Sequence, residues 1–143
     1  MEEHQVGCKF CLIKNDDQYG ELIFVDEKNI VFESIMPKAE THLLICPKNH
    51  IDDVNHLRSA EEVHSLEVTA KEYLNSRPDF ENVAKCDDYL IGFHRPPHNS
   101  VGHLHLHVVY PVSNMSVEQM ADVVNEGWVT ATQVKDELDK SGS

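Results

Sequence analysis

The segment from residue 103 to residue 109 alternates histidine with branched apolar residues and reads His-Leu-His-Leu-His-Val-Val. Alternation with a period of two predicts a half-buried β-strand, in which successive side chains point to opposite faces. His103, His105 and His107 are therefore expected on one face, about 6.6 Å apart along the strand, and the residues between them on the core side. An imidazole can be a base, an acid, a nucleophile or a metal ligand near neutral pH, so this face is the first candidate for function.

The rest of the pattern predicts an α+β fold with a five-stranded antiparallel sheet, a central helix and C-terminal helices. Strands are predicted at residues 21–25, 30–35, 42–46, 89–93 and 103–110. Helices are predicted at residues 60–74, after Ser116, and at residues 130–138. The first two helices begin at capping boxes, Ser59 with Glu62 and Ser116 with Gln119. The predicted order is a hairpin, a strand, a helix, a hairpin-like pair of strands and then helices, which favours an antiparallel sheet over βαβ units.

Length and charge limit the partners of the chain. Its 143 residues predict one domain, with a core at about 8–110 and a helical tail at 115–140. The net charge of −13 disfavours DNA or RNA as an extended partner, because phosphate backbones are bound through Lys and Arg. A single nucleotide is compatible with this charge, since a few local donors can hold one phosphate. No apolar run approaches the ~20 residues of a membrane span, and the acidic start lacks a secretory signal. We therefore expect no membrane partner and a cytoplasmic or nuclear location.

The histidine row itself leaves three interpretations open. The three side chains can be ordinary polar residues on a solvent-exposed face, although exposed strand positions usually mix Thr, Lys and Glu. Two neighbouring imidazoles can share a metal ion, but His103 and His107 lie about 13 Å apart by strand rise, too far for all three to bind one ion at ~2.1 Å. The third interpretation is chemistry at phosphorus, with an imidazole as the nucleophile.

Two of the four cysteines form a second motif, Cys8-Lys9-Phe10-Cys11. This spacing suits a metal site or a redox pair. A redox role is disfavoured because no thioredoxin-like βαβ pattern surrounds the motif. Two unliganded thiols that pack near the N-terminus are the remaining alternative.

Two long motifs resemble the histidine triad (HIT) superfamily. Residues 103–109 are similar to its motif His-φ-His-φ-His-φ-φ, where φ is an apolar residue, and residues 99–102 to the loop before it. Residues 41–50, Thr-His-Leu-Leu-Ile-Cys-Pro-Lys-Asn-His, resemble its second hallmark, an apolar strand that ends in Pro-Lys-x-His. The resemblance spans about residues 8–110 and is strongest to the histidine triad nucleotide-binding (Hint) branch. Residues 92–97, together with Trp128, are similar to the third subtype of that branch.

The resemblance implies an enzyme that hydrolyses adenosine 5′-phosphoramidates or acyl-adenylates to AMP. His105 would attack the α-phosphorus and form a nucleotidyl-imidazole, which water would then hydrolyse. His107 would hold a phosphate oxygen, and Ser100 would donate to non-bridging oxygens. His42 would complete the polar end of the pocket, and His103 is the first member of the triad. The transferase branch of the superfamily carries glutamine at the third triad position, so His107 favours hydrolysis over transfer.

The same resemblance implies how a nucleotide would be bound. Phe10, Phe32 and Ile35 would line the base slot, although from sequence alone they suit a core equally well. Asn99 would flank the phosphate site. Ser34 stands where the family usually has an aspartate that accepts from the ribose hydroxyls, and a neutral serine bonds them more weakly.

The family further implies a structural zinc ion, a homodimer with two joined five-stranded sheets, and no cofactor for the chemistry itself. Cys8, Cys11, His50 and His103 would be the zinc ligands, and they form a complete Cys₂His₂ set. Two alternatives to the phosphoramidate hydrolase stay open. One is a dinucleoside polyphosphate hydrolase, and the other is a zinc-stabilised nucleotide-binding or adaptor module with little catalysis. Metal carriage through the ten histidines and hydrolysis of DNA adenylates, which a basic surface would favour, are less favoured.

Overall fold

The computed structural model describes residues 20–34, 37–48, 51, 53–95 and 104–140, with side chains from residue 23 onward. The strands are β1 (Gly20–Val25), β2 (Asn29–Ser34), β3 (Thr41–Pro47), β4 (Leu90–His94), β5 (Leu106–Tyr110) and β6 (Trp128–Thr130). The helices are α1 (Ala60–Leu74), α2 (Phe80–Lys85), α3 (Val117–Val123) and α4 (Ala131–Lys140). Short 3-10 turns lie at Val54–His56 and Val112–Asn114.

These strands form one antiparallel sheet in the order β1-β2-β3-β5-β4-β6. The predicted α+β class and antiparallel sheet are confirmed, but the predicted count of five strands is wrong. The sixth strand, β6, pairs with β4 through Phe93 opposite Val129. It has only three residues, too few for an alternation of apolar and polar residues to be recognised in the sequence.

One face of the sheet packs against α1 and α4 and forms the main core. The strands contribute aliphatic residues at alternate positions, such as Leu43 and Ile45 of β3 and Leu106 and Val108 of β5. The apolar stripe of α1 that meets them consists of Val63, Leu66, Ala70 and Leu74. This core face turns the other residues of β3 and β5, the histidines among them, to the opposite face of the sheet.

The helix starts follow the sequence closely. Both predicted capping boxes are present, Ser59 with Glu62 before α1 and Ser116 with Gln119 before α3. The helix α2 was not predicted, because its six residues bury no side chain and carry no apolar period. In the described part of the chain, no helix combines the length and the apolar character needed to cross a membrane.

Candidate active site

Three histidines from three neighbouring strands meet on the face of the sheet that lies opposite the main core. His107 is on β5, with Leu44 of β3 on one side of it and Gly92 of β4 on the other. His42 lies two residues before Leu44, and His94 two residues after Gly92. Because side chains two apart share a face, the pairing of the strands brings the three rings together.

A continuous chain of hydrogen bonds links these rings, and we call it the histidine relay. The amide of Lys38 donates to Nδ1 of His42 over 3.1 Å. Nε2 of His42 lies 2.9 Å from Nδ1 of His107. Nε2 of His107 lies 3.2 Å from Nδ1 of His94, and Nε2 of His94 lies 2.7 Å from the carbonyl oxygen of Val123.

The two backbone ends of the histidine relay determine the position of every ring proton. A backbone amide only donates and a carbonyl oxygen only accepts. Nδ1 of His42 therefore accepts from Lys38, and Nε2–H of His94 donates to Val123. Neutral rings between these ends satisfy all bonds only if His42, His107 and His94 each carry the proton on Nε2. The hydrogen bonds thus assign the same tautomer to three imidazoles.

Burial and neighbouring histidines keep His42 and His107 neutral. Desolvation lowers the pKa of His42 from 6.5 to about 4, and His105, His94 and Lys38 add smaller electrostatic effects in the same direction. Desolvation, then His105, His42 and His94, hold the pKa of His107 well below its ordinary value. Both rings are therefore uncharged at pH 7, in agreement with the tautomers that the hydrogen bonds require.

His105, the middle histidine of the row, is packed edge to face against the relay. Its ring centroid lies 4.7 Å from that of His107, with the ring planes at 67°. His105 is 5% exposed. The predicted alternation is confirmed in this segment, since Leu104, Leu106 and Val108 join the main core while His105 and His107 do not.

The other side of the relay is bounded by Trp128 of β6, the single tryptophan of the chain. Its ring lies 5.4 Å from His94 and 6.4 Å from His107, centroid to centroid. A glycine at position 92 makes room for this ring, because a Cβ there would come within 2.7 Å of the indole and 2.5 Å of the carbonyl oxygen of Val129. Gly92 therefore permits both the β4–β6 pairing and the position of Trp128.

The helix α3 supplies the end of the relay. Its last residue, Val123, belongs to a small apolar cluster with Ala39 and Val109, which Trp128 also contacts. Lys38, whose amide begins the relay, forms a salt bridge of 3.5 Å with Asp122 of the same helix. Both backbone ends of the histidine relay are thus attached to one short helical segment.

Several predicted site residues can be placed in the structure. His42, His105 and His107 lie together, as described above. Phe32 is fully buried and Ser34 is half-buried on β2. Phe32 lies opposite Leu44, which in turn lies opposite His107, so it belongs to the histidine face. This placement is compatible with a wall of the base slot and with a packed residue, as the sequence left open.

The remaining predicted site residues lie outside the described part of the chain, namely Cys8, Phe10, Cys11, Ile35, His50, Asn99, Ser100 and His103. Their roles stay predictions. Within the described ranges, no cluster of three or more His, Cys, Asp or Glu side chains is arranged to hold a metal ion. The structure therefore gives no support to the predicted zinc site, whose four ligands are all among those eight residues.

Sequence reasoning did not assign a role to His94, to Trp128 or to the carbonyl group of Val123. The strand predicted at residues 89–93 stops one residue short of His94, which is the last residue of β4. The sequence contained one usable signal, an additional histidine directly after an apolar strand. Nothing in the sequence marks a backbone carbonyl as the partner of a side chain, so the end of the relay was not predictable.

Comparisons with known proteins agree on one family. The family model described as scavenger mRNA decapping enzyme C-terminal binding matches residues 7–122. The chain is 34% identical over 141 residues to the adenosine 5′-monophosphoramidase HINT3 of Xenopus tropicalis, covering 96% of this chain and 91% of that protein. It is 40% identical over 102 residues to the bifunctional adenosine 5′-phosphosulfate phosphorylase/adenylylsulfatase HINT4 of Arabidopsis thaliana. This similarity covers 71% of this chain and 68% of that protein.

A solved structure shares the fold. The histidine triad protein from Clostridium difficile superposes with a TM-score of 0.63 at 22% identity, covering 74% of this chain and 91% of that chain. The family match ends at residue 122, before β6 and α4, whereas the similarity to the frog protein covers nearly the whole chain. Trp128 and the Val123 carbonyl therefore lie beyond the matched part of the family model.

Proposed function

The chain belongs to the HIT superfamily, and from this premise we propose that it hydrolyses adenosine 5′-phosphoramidates or related acyl-adenylates and releases AMP. The named relatives support nucleotide hydrolase activity of the HIT type. The observation that carries the proposal is the position of His105, held edge to face against a neutral, hydrogen-bonded His107. A purine nucleotide is accordingly the proposed ligand.

In the proposed first step, an unprotonated ring nitrogen of His105 forms a bond to the α-phosphorus as the phosphorus–nitrogen bond of the substrate breaks. The leaving nitrogen takes up a proton from the solvent and departs as an amine. In the second step, water attacks the phosphorus of the nucleotidyl-imidazole, His105 leaves as a neutral ring, AMP is released, and the proton that water loses returns to the solvent. A neutral His107 supports this scheme because it can donate a hydrogen bond to the phosphate while it stays uncharged in its buried position.

His107 would contact a phosphate oxygen during these steps. Both of its ring nitrogens lie within hydrogen-bonding distance of other histidines, His42 and His94. Nδ1 accepts from His42, so the nitrogen that can donate to a phosphate is Nε2. A phosphate oxygen would then replace Nδ1 of His94 as the acceptor, an exchange that is favourable because a charged acceptor forms the stronger bond.

The remaining parts of the site are proposed from the family resemblance. Ser100 and Asn99 would bind the phosphate, and Phe10, Phe32, Ser34 and Ile35 the nucleoside. We also propose a structural zinc ion on Cys8, Cys11, His50 and His103, a donor set that suits zinc. Elemental analysis of the purified protein tests this, and about one zinc per chain is expected. A ratio near zero after purification without chelators contradicts it.

We further propose a homodimer and a cytoplasmic or nuclear location. In the described sheet the outer strands are β1 and β6, so a sheet that continues into a second copy would pair through one of these two edges. Light scattering at working concentration tests the dimer, and the mass of a single chain contradicts it. Microscopy of a fluorescently tagged chain tests the location, and secretion or a membrane pattern contradicts it.

The proposed reaction is tested by AMP release from adenosine 5′-phosphoramidate. The native chain should turn over, and His105→Ala should lower kcat by about a thousandfold or more, as for removal of other covalent nucleophiles. His64→Ala is the matched control, because His64 is exposed on α1, on the other face of the sheet. Turnover by His105→Ala at the native rate rules out the covalent mechanism.

Other substrates distinguish the alternatives. Release of AMP only from a dinucleoside polyphosphate would replace the proposed substrate class with that of the polyphosphate hydrolases. Binding of AMP without turnover of any adenylated compound would indicate a nucleotide-binding module.

A further inference from the structure

In the reaction proposed above, His94 only gives up the Nε2–H of His107 to a phosphate oxygen, and in the structure it connects the catalytic face to α3. Its Nδ1 lies 3.2 Å from Nε2 of His107, and its Nε2 lies 2.7 Å from the carbonyl oxygen of Val123. The ring packs edge to face on His107, with centroids 4.7 Å apart, and against Trp128. Each polar atom of the imidazole thus has an assigned partner.

We propose that His94 is a positioning residue that holds His107 in the Nε2–H tautomer. The argument starts at Val123, whose carbonyl oxygen only accepts and therefore requires the proton of His94 on Nε2. Nδ1 of a neutral His94 is then an acceptor, and it selects the His107 tautomer that carries a proton on Nε2. For turnover this inference rests on the proposed function, but the tautomer itself does not.

The relay accommodates no additional proton without breaking a bond. If His94 were doubly protonated, its Nδ1–H would point at His107, which would have to accept through Nε2 and carry its proton on Nδ1. His42 would then have to accept through Nε2 and donate through Nδ1, where the Lys38 amide already donates. A donor facing a donor in a buried site is costly. His94 therefore maintains a neutral His107 with its N–H aimed in one direction.

Two isosteric substitutions separate the two bonds of His94. In His94→Asn the amide oxygen stands near the place of Nδ1, so it can accept from His107, but the donor to Val123 is lost. In His94→Gln the amide nitrogen stands near the place of Nε2, so it can donate to Val123, but the acceptor for His107 is lost. His64→Asn and His64→Gln, at an exposed position of α1, are matched controls.

The tautomers are read by long-range ¹H–¹⁵N NMR of histidine side chains, which distinguishes a protonated from an unprotonated ring nitrogen. We expect Nε2–H for His42, His94 and His107 in the native chain, an unchanged His107 in His94→Asn, and a mixture of His107 tautomers in His94→Gln. With adenosine 5′-phosphoramidate, kcat should fall about tenfold in His94→Gln, because the preference of His107 for the Nε2–H tautomer, equivalent to about one hydrogen bond, is lost. It should stay within about threefold of native in His94→Asn, with KM changed less than kcat in both.

The outcomes separate this inference from the proposed function. A native His107 protonated on Nδ1, or a His107 tautomer that does not change in His94→Gln, overturns the inference. A fall in kcat that is equal for the Asn and Gln variants, with both correctly folded, also overturns it, because it would indicate a merely structural role. A native chain with the expected tautomers but without turnover rejects the proposed reaction and leaves the tautomer assignment standing.

Discussion

The two faces of the sheet are built from the same strands but are held by different kinds of interaction. The core face is aliphatic and packs against α1 and α4. The histidine face carries His42, His94 and His107, and is joined to the short helix α3 by directional hydrogen bonds. Alternate residues of β5 contribute to both, with Leu106 and Val108 on one side and His107 on the other.

The two faces of the sheet differ in how strictly they limit the residue type at each position. Burial of apolar area has no direction, so residues of similar volume can replace one another on the core face at a small cost. A buried imidazole needs a specific donor or acceptor at each ring nitrogen, and a missing partner leaves an unsatisfied group. Substitutions on the core face should therefore affect stability, whereas those on the histidine face should affect chemistry as well.

The largest effect on stability is expected for Leu66→Ala on α1. Leu66 is nearly fully buried in the main core, and its truncation leaves a cavity that lowers the free energy of unfolding by about 2–5 kcal/mol. Denaturant unfolding measures this loss, while kcat per folded molecule should not change. A variant with native stability and a reduced kcat would contradict the separation of the two faces.

Acidification should destabilise the histidine face. The pKa of His42 is about 4 when folded and about 6.5 when unfolded, so the unfolded chain binds more protons between these values. The contribution of a neutral His42 to the free energy of unfolding is therefore fully present above about pH 6.5. It is lost as the pH falls towards 4, by up to about 3 kcal/mol. The lowered pKa of His107 acts in the same direction.

Unfolding free energies measured across this pH range check the expectation. His42→Gln, which keeps a donor towards His107, should lose less stability on acidification than the native chain. Equal losses in both chains would show that other groups cause the dependence.

Substitution of Gly92 tests how β6 is attached to the histidine face. In Gly92→Ala the new methyl group would overlap the indole of Trp128 and the carbonyl oxygen of Val129, so we expect a loss of about 1–3 kcal/mol. Because the chain has one tryptophan, its fluorescence spectrum reports the displacement directly. An unchanged spectrum together with native stability would contradict the observed contact.

The smallest effect is expected at the surface, where α4 is joined to the end of β4. Arg95 donates to Glu137 over 2.5 Å, but both side chains are partly exposed. An exposed ion pair contributes about 0.2–1 kcal/mol, so Glu137→Gln should change stability by less than 1 kcal/mol. A loss as large as that for Gly92→Ala would show that α4 supports the histidine face.

Local patterns in the sequence account for much of this fold. The alternation at residues 103–109 separated the two faces of β5 correctly for residues 104–108, and the capping boxes at Ser59 and Ser116 placed the starts of α1 and α3. The short strand β6 was missed because three residues carry no measurable period. Elements with a long alternation or a capping box were predicted, and the strand that is too short to show a pattern was not.

The candidate site was predicted only in part, because its bonds join distant residues. The alternating histidine motif predicted His105 and His107 as site residues, and the family resemblance predicted His42. The bond between His42 and His107 spans 65 residues, and that between His94 and Val123 spans 29. Which carbonyl or ring stands opposite a given imidazole depends on strand order and register, and single-sequence patterns contain neither.

The same long spans have a consequence for how the chain folds. The β1–β2 hairpin and α1 are local in sequence and can form early, whereas the relay requires β3, β4, β5 and α3 to be assembled. Contacts that close long loops are formed late, after the entropy of closure has been compensated by other contacts. Weakening the relay should therefore speed unfolding with little change in the folding rate. During refolding, catalytic competence should be the last property that the chain regains.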